Sequence, residues 1–144
     1  MVVVLIIGIL LAIAVPALLS AQKNAMNKVA TANLRAALGA IKTVFADTES
    51  YDFGRSQLMA AEPALSWAAS ADAIVATGDG PQVIGWSNTL TGVTLVSKSK
   101  LDVCFWGRED IDTGTKFGRA DTFGGCDPAA MGGTPGTSSD AWNN

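Results

Sequence analysis

From Val2 to Gln22 the chain carries no charged residue, and the first charge is Lys23. Valine, isoleucine, leucine and alanine fill nearly all of that run, so a helix built from it is apolar on every face. Residues 1–22 at ~1.5 Å rise per residue span ~33 Å, close to the ~30 Å hydrocarbon core of a bilayer. They are expected to form a membrane or assembly segment. Two other readings fit less well. A secretory signal, with Leu19-Ser20-Ala21 as a cleavage site, has an apolar core of only ~7 to 15 residues, and a small globule has little room to bury a helix that is apolar all round.

Past Ala21 the apolar residues become periodic. Met26, Val29, Ala30, Leu34, Ala37, Leu38, Ile41 and Phe45 recur at helical spacing on one face, and Ala30, Leu34, Ala37, Ile41 and Val44 form a seam able to receive a sheet or another helix. Lys28, Thr31, Arg35 and Lys42 occupy the opposite stripe. Residues 23–47 thus continue the first segment as the amphipathic half of one stalk helix of ~45 residues, with its exit near Tyr51 to Gly54.

Residues 48–81 read as a connecting loop. It holds a short helix over Ser56 to Ala61, stopped before Pro63, and then open chain through Gly78, Gly80 and Pro81. From residue 82 the pattern changes to short β-branched and aromatic runs, Gln82 to Ser87, Val93 to Ser97 and Leu101 to Trp106, with a fourth near Thr115 to Phe117. These predict an antiparallel sheet over residues 82–130. Leu101, Val103 and Phe105 alternate with Asp102, Cys104 and Trp106, so one face of that run is free to pack on the stalk's apolar stripe. Residues 131–144, rich in glycine, threonine, serine and asparagine, predict an irregular surface tail. The fold class expected is α+β: a long N-terminal stalk helix packed on a small antiparallel head.

Composition removes most chemistry. The 144 residues include no histidine, which excludes Ser-His-Asp and Cys-His nucleophiles and His-ligated zinc. A net charge of -3 argues against nucleic acid as the main partner. That charge is unevenly placed: residues 1–46 hold Lys23, Lys28, Arg35 and Lys42 and no acid, for +4, which leaves -7 on the remainder. The stalk's basic side is expected to meet acid on neighbouring heads. Asp112-Thr113-Gly114 matches the short aspartic-protease signature, but that chemistry needs a second carboxylate in a buried dyad, and the motif is ordinary turn composition. Glu109, Asp110, Asp112 and Asp121 are weak calcium candidates without EF-hand spacing, and solvated acids are the plainer reading. Cys104 and Cys126 enclose a charged, glycine-rich loop after an export-type segment, which reads as a disulfide formed outside the cytoplasm; two unpaired buried thiols are the alternative. No enzyme activity and no cofactor are expected.

The apolar opening, Val2-Val-Val-Leu-Ile-Ile-Gly8-Ile-Leu-Leu-Ala-Ile-Ala-Val-Pro16, resembles the start of type IV pilins, closely over about Met1 to Met26. The order of stalk, loop, sheet and C-terminal cysteine pair agrees with it more weakly. In that family the opening Phe-Thr-Leu-Ile-Glu precedes the segment. Aligned on Gly8 and Pro16, it falls just upstream of Met1, and its absence together with a prepilin leader reads as an incomplete start. The resemblance implies a subunit held in the inner (cytoplasmic) membrane before assembly and then polymerised with identical subunits, by a pilus assembly machinery, into an extracellular filament. Assembly would run through Val4, Leu5, Ile9, Leu11 and Ile13, with Gly8 and Pro16 setting backbone behaviour and part of the helix between them unwinding in the filament. The alternatives are a pseudopilin of type II secretion, a related group that uses calcium in the acidic region, and a single-pass membrane-anchored binding domain that never polymerises.

Overall fold

Helix α1 (Val2–Thr48) runs unbroken for 47 residues, through both Gly8 and Pro16. The structure, a computed structural model, describes residues 2–69, 83–101, 103–121 and 126; the side chains of Leu11, Ala14, Pro16, Ala17, Ala69, Ala120 and Asp121 lie outside the described set. The expected open chain at Gly78, Gly80 and Pro81, the place of Asp102 in the strand alternation and the irregular tail 131–144 also lie outside the described residues. α1 ends one residue past the expected limit. The Thr48 hydroxyl donates back to the Val44 carbonyl at 2.8 Å, and Glu49 takes the left-handed conformation (φ 52°) while its N–H bonds the Phe45 carbonyl at 2.7 Å. A left-handed residue after the last turn is a common helix stop, though glycine usually fills it.

Helix α2 (Arg55–Ala61) follows at once. Gln57 Oε1 accepts the Gly54 N–H at 2.8 Å at its start, the Leu58 carbonyl accepts the Glu62 N–H at 2.9 Å at its end, and Leu58 anchors it in the core. Then come five strands: β1 (Ser66–Ala69), β2 (Val83–Asn88), β3 (Gly92–Lys98), β4 (Val103–Asp110) and β5 (Lys116–Asp121). They form one sheet in the order β1-β2-β3-β4-β5.

The architecture is α+β, and two expectations need correction. The sheet is mixed, because β1 pairs parallel to β2 (Trp67 opposite Ile84) while the other three pairings are antiparallel. Residues 48–81 are accordingly not wholly loop. Ser66-Trp67-Ala68-Ala69 has neither the length nor the β-branching that marks a strand in sequence; its place comes from Trp67, buried in the core with its indole N–H bonded to the Glu62 carbonyl at 3.2 Å. Leu101 is the second correction. It sits in a turn, its N–H bonded to Ser99 Oγ at 3.1 Å, and β4 instead extends forward to Asp110 through polar residues paired with β3 throughout and with β5 as far as Arg108.

The sheet's two faces have different partners. Ile84, Trp86, Val93, Leu95 and Phe105 pack with Ala30, Leu34, Ala37, Leu38, Ile41 and Val44 of α1, and Val103 and Phe117 lie against the same core. The alternation of β4 therefore turns Val103 and Phe105 to the helix. Full burial of Leu34 and Ile41 stabilises this contact by about 1.5–3 kcal/mol each. On the outer face Val96, Cys104 and Cys126 form a smaller buried group with Val83 and Trp106 beside it.

Candidate functional site: an exposed apolar stalk and a braced head

Among the described side chains of α1 the first buried one is Ala30. N-terminal to it the helix leaves the head, and twelve large apolar side chains between Val2 and Leu19 are exposed, from Ile6 at 51% to Val4 and Ile13 at 70%. They point in every direction around the helix, so no single face is the sticky one. Val4, Leu5, Ile9 and Ile13 are all in this set, and Val4, Leu5, Gly8, Ile9 and Ala12 line a shallow open notch at Gly8. A Cβ at Gly8 would meet nothing within 4 Å. Leu11 and Pro16 belong to the same helix, with side chains outside the described set. Among the described residues no helix is long and apolar enough to cross a membrane. The sequence is uncharged from Val2 to Gln22.

Neighbouring acids in the head are sent to opposite faces by the strand alternation. Glu109 turns toward the helix, where its Oε2 lies 3.4 Å from Lys42 Nζ and accepts the Thr115 hydroxyl, while Lys42 also donates to Thr115 Oγ1 at 3.2 Å. The stalk is thereby braced to the β4–β5 hairpin. This revises the expectation that the basic stripe as a whole is kept for neighbouring molecules: Lys42 finds its acid within its own chain. Asp110 turns to the outer face, ion-paired with Arg108 at 3.0 Å, and accepts the backbone N–H groups of Asp112 at 3.1 Å and Thr113 at 3.2 Å. The Arg108 guanidinium, with those two N–H groups, holds the Asp110 carboxyl below the usual carboxylate range against the opposing effect of burial.

Asp110 is thus the organiser of the Ile111–Thr113 turn. The Asp112-Thr113-Gly114 signature falls on that turn, Gly114 taking φ 69° with its N–H bonded to the Asp110 carbonyl at 2.9 Å. Asp112 is exposed. Asp121, at the far end of β5 opposite Val103, has its side chain outside the described set. Glu109, Asp110 and Asp112 therefore do not converge, and among the described residues no group of three or more acids or cysteines is placed to hold a metal ion.

Cys104 and Cys126 are joined, with Cα atoms 5.8 Å apart and a sequence separation of 22, and both are buried on the outer face. The bond fastens residue 126 to the start of β4. Tyr51, just past the helix, stacks on Phe45 with ring centroids 4.4 Å apart; burial, then the nearby Glu109 and Asp110 charges, push its phenol pKa up. The sequence reading missed the Lys42–Glu109 brace, because two residues 67 positions apart in the chain carry no local signal of contact. It also missed the apolar tips Leu90 and Ile111, 86% and 61% exposed. Both stand alone in polar turns, a pattern that propensity reads only as loop. No family model matches the chain, and neither a curated protein nor a solved structure matches it.

Proposed function

We propose that this chain is a structural subunit of a type IV pilus-like filament, held in the inner membrane by residues 1–22 before assembly and polymerised through the same residues afterwards. The observation that carries this reading is the exposure of apolar side chains all round the helix from Val2 to Leu19. A monomer's largest apolar patch is usually ~300–600 Å² and tends to be functional; a rod of twelve bare aliphatic side chains needs lipid or other rods around it. Exchange of lipid for identical neighbours satisfies the same surface in water-exposed filaments, since burial contributes ~25 cal/mol per Å² relative to water. Among the described residues of the head, Glu109 belongs to a brace and Asp110 to a turn.

Gly8 and Pro16 give the segment a built-in weakness. Pro16 cannot donate to the Ala12 carbonyl, and glycine lowers helix propensity by ~1 kcal/mol relative to alanine. Lipid enforces a continuous helix, whereas packing among subunits tolerates unwound backbone whose polar groups find partners. Part of the helix between these residues therefore unwinds on assembly. An antibody against the head, applied to cells that carry a pilus assembly machinery, tests the reading by electron microscopy. Labelled surface filaments are expected; a chain that stays a detergent-soluble monomer is an anchored binding domain instead, and short filaments seen only with secretion components make it a pseudopilin.

A further inference from the structure

The end of the head opposite the point where the exposed part of the stalk emerges is a defined surface made from three loops. The β2–β3 turn carries Leu90 and the β4–β5 turn carries Ile111, and the Ile111 N–H bonds the Thr91 carbonyl at 3.0 Å, so the two apolar tips are held side by side. The segment after α1 joins them through Asn88, which donates to the Tyr51 carbonyl at 2.7 Å. Exposed Asp47 and Asp52 flank this junction. At the other end of the head, where the stalk emerges, exposed Leu18 and Leu19 are followed by exposed Lys23 and Lys28. One end thus presents apolar side chains bordered by acid, and the other presents apolar side chains bordered by base.

From this complementarity we infer that the distal tip of one head docks on the stalk collar of a second copy. Leu90 and Ile111 lie against Leu18 and Leu19 of the other molecule, and Asp47 and Asp52 face its Lys23 and Lys28. The occupant is a second copy because a single chain holds both halves at opposite ends: Lys28 and Thr48 are ~30 Å apart along one helix, out of each other's reach. Lys42 takes no part, since Glu109 already holds it. The contact rests on the filament reading and adds to it an axial register: copies joined this way are offset by ~30–40 Å along the stalk. The apolar rod alone sets no such register, because its side chains are similar at every turn.

Charge reversal in the full chain, expressed with a pilus assembly machinery, tests the inference. Lys23→Glu with Lys28→Glu, and separately Asp47→Lys with Asp52→Lys, are each expected to lower sheared filament yield about fivefold at low salt, and the combined fourfold variant to recover to within about twofold of the parent. Leu90→Asp with Ile111→Asp is expected to lower the yield as well. Intact mass of the membrane-held chain, with the Cys104–Cys126 bond in place, keeps misfolding apart from failed assembly. Yields equal to the parent in either reversal, or losses that the combined variant does not repair, overturn the tip-to-collar contact and leave the filament reading standing. An unaltered chain that makes no filament overturns both.

Discussion

Lys42 Nζ lies 3.4 Å from Glu109 Oε2 across the boundary between the stalk helix and β4, and the Thr115 hydroxyl closes the group by donating to the same carboxylate. The pair is unequal in exposure: the Lys42 side chain is 52% exposed and that of Glu109 15%. Half-solvated pairs contribute little on their own. Lys42→Met should therefore reduce stability by only ~0.2–1 kcal/mol, with the effect shrinking in 1 M salt. Glu109→Leu removes the ion pair and the Thr115 hydrogen bond together, but Lys42 and Thr115 are exposed and turn to water, so its effect should also be small. Chemical denaturation of the detergent-solubilised chain, with the two variants measured at two ionic strengths, checks this.

Asp110 makes the β4–β5 turn pH-dependent. Its carboxyl titrates below the ordinary value because Arg108 and two backbone N–H groups favour the charged form. A carboxylate depressed on folding contributes stability that is present above its unfolded pKa and is lost as pH falls through the folded one. The head should thus hold its stability down to the ordinary carboxylate range and lose this contribution only below it. Asp110→Asn should flatten that acid limb and lower stability at neutral pH, because the charge that Arg108 and the two N–H groups favour is gone. Denaturation midpoints from pH 7 down to pH 2 decide it.

Gly118 is dictated by Trp106. The two face each other across β4 and β5, and a Cβ at Gly118 would fall inside the Trp106 indole. Gly118→Ala should cost about 1–3 kcal/mol through overpacking. In a Trp106→Ala background the same change should cost less than 1 kcal/mol. A double-mutant cycle with equal costs in both backgrounds would contradict the contact.

Reduction of the Cys104–Cys126 bond should destabilise the head by ~3 kcal/mol, chiefly by freeing the unfolded chain. Mass spectrometry after alkylation with and without reductant should show no modified thiol in the untreated protein. Two alkylated cysteines without reductant would exclude the bond.

The stalk, its amphipathic half and four of the five strands were legible in the sequence because each has a strong period or a β-branched run. Ala30, Leu34, Ala37 and Ile41 recur at helical spacing, and all four are fully or nearly fully buried. What was not legible depends on pairing between distant segments. β1 is a strand because β2 and the core hold it, and polar Arg108, Glu109 and Asp110 stay in β4 because β3 supplies their backbone partners. The four acids looked like one cluster because they are close in sequence; strand alternation sends Glu109 and Asp110 to opposite faces. The placement of Glu49 at φ 52° was also invisible, although an acid near a helix C-terminus was an unfavourable sign for the helix dipole.

Glu49→Gly should accordingly stabilise the chain by about 0.5–1 kcal/mol, removing both a left-handed non-glycine residue and a negative charge at the helix end. Thermal unfolding of the variant beside the parent provides the comparison, and a lower midpoint would show that the strain is relieved in another way.

The central claim is that the apolar stalk is covered by other copies of itself. A density map of the assembled filament measures this most directly through the radial position of Val2 to Leu19. The account predicts these segments bundled along the filament axis, with Val4, Leu5, Ile9 and Ile13 in contact with neighbouring stalks and the five-stranded heads outside. Stalks lying at the filament surface, or heads joined with residues 2–19 still exposed, would contradict it.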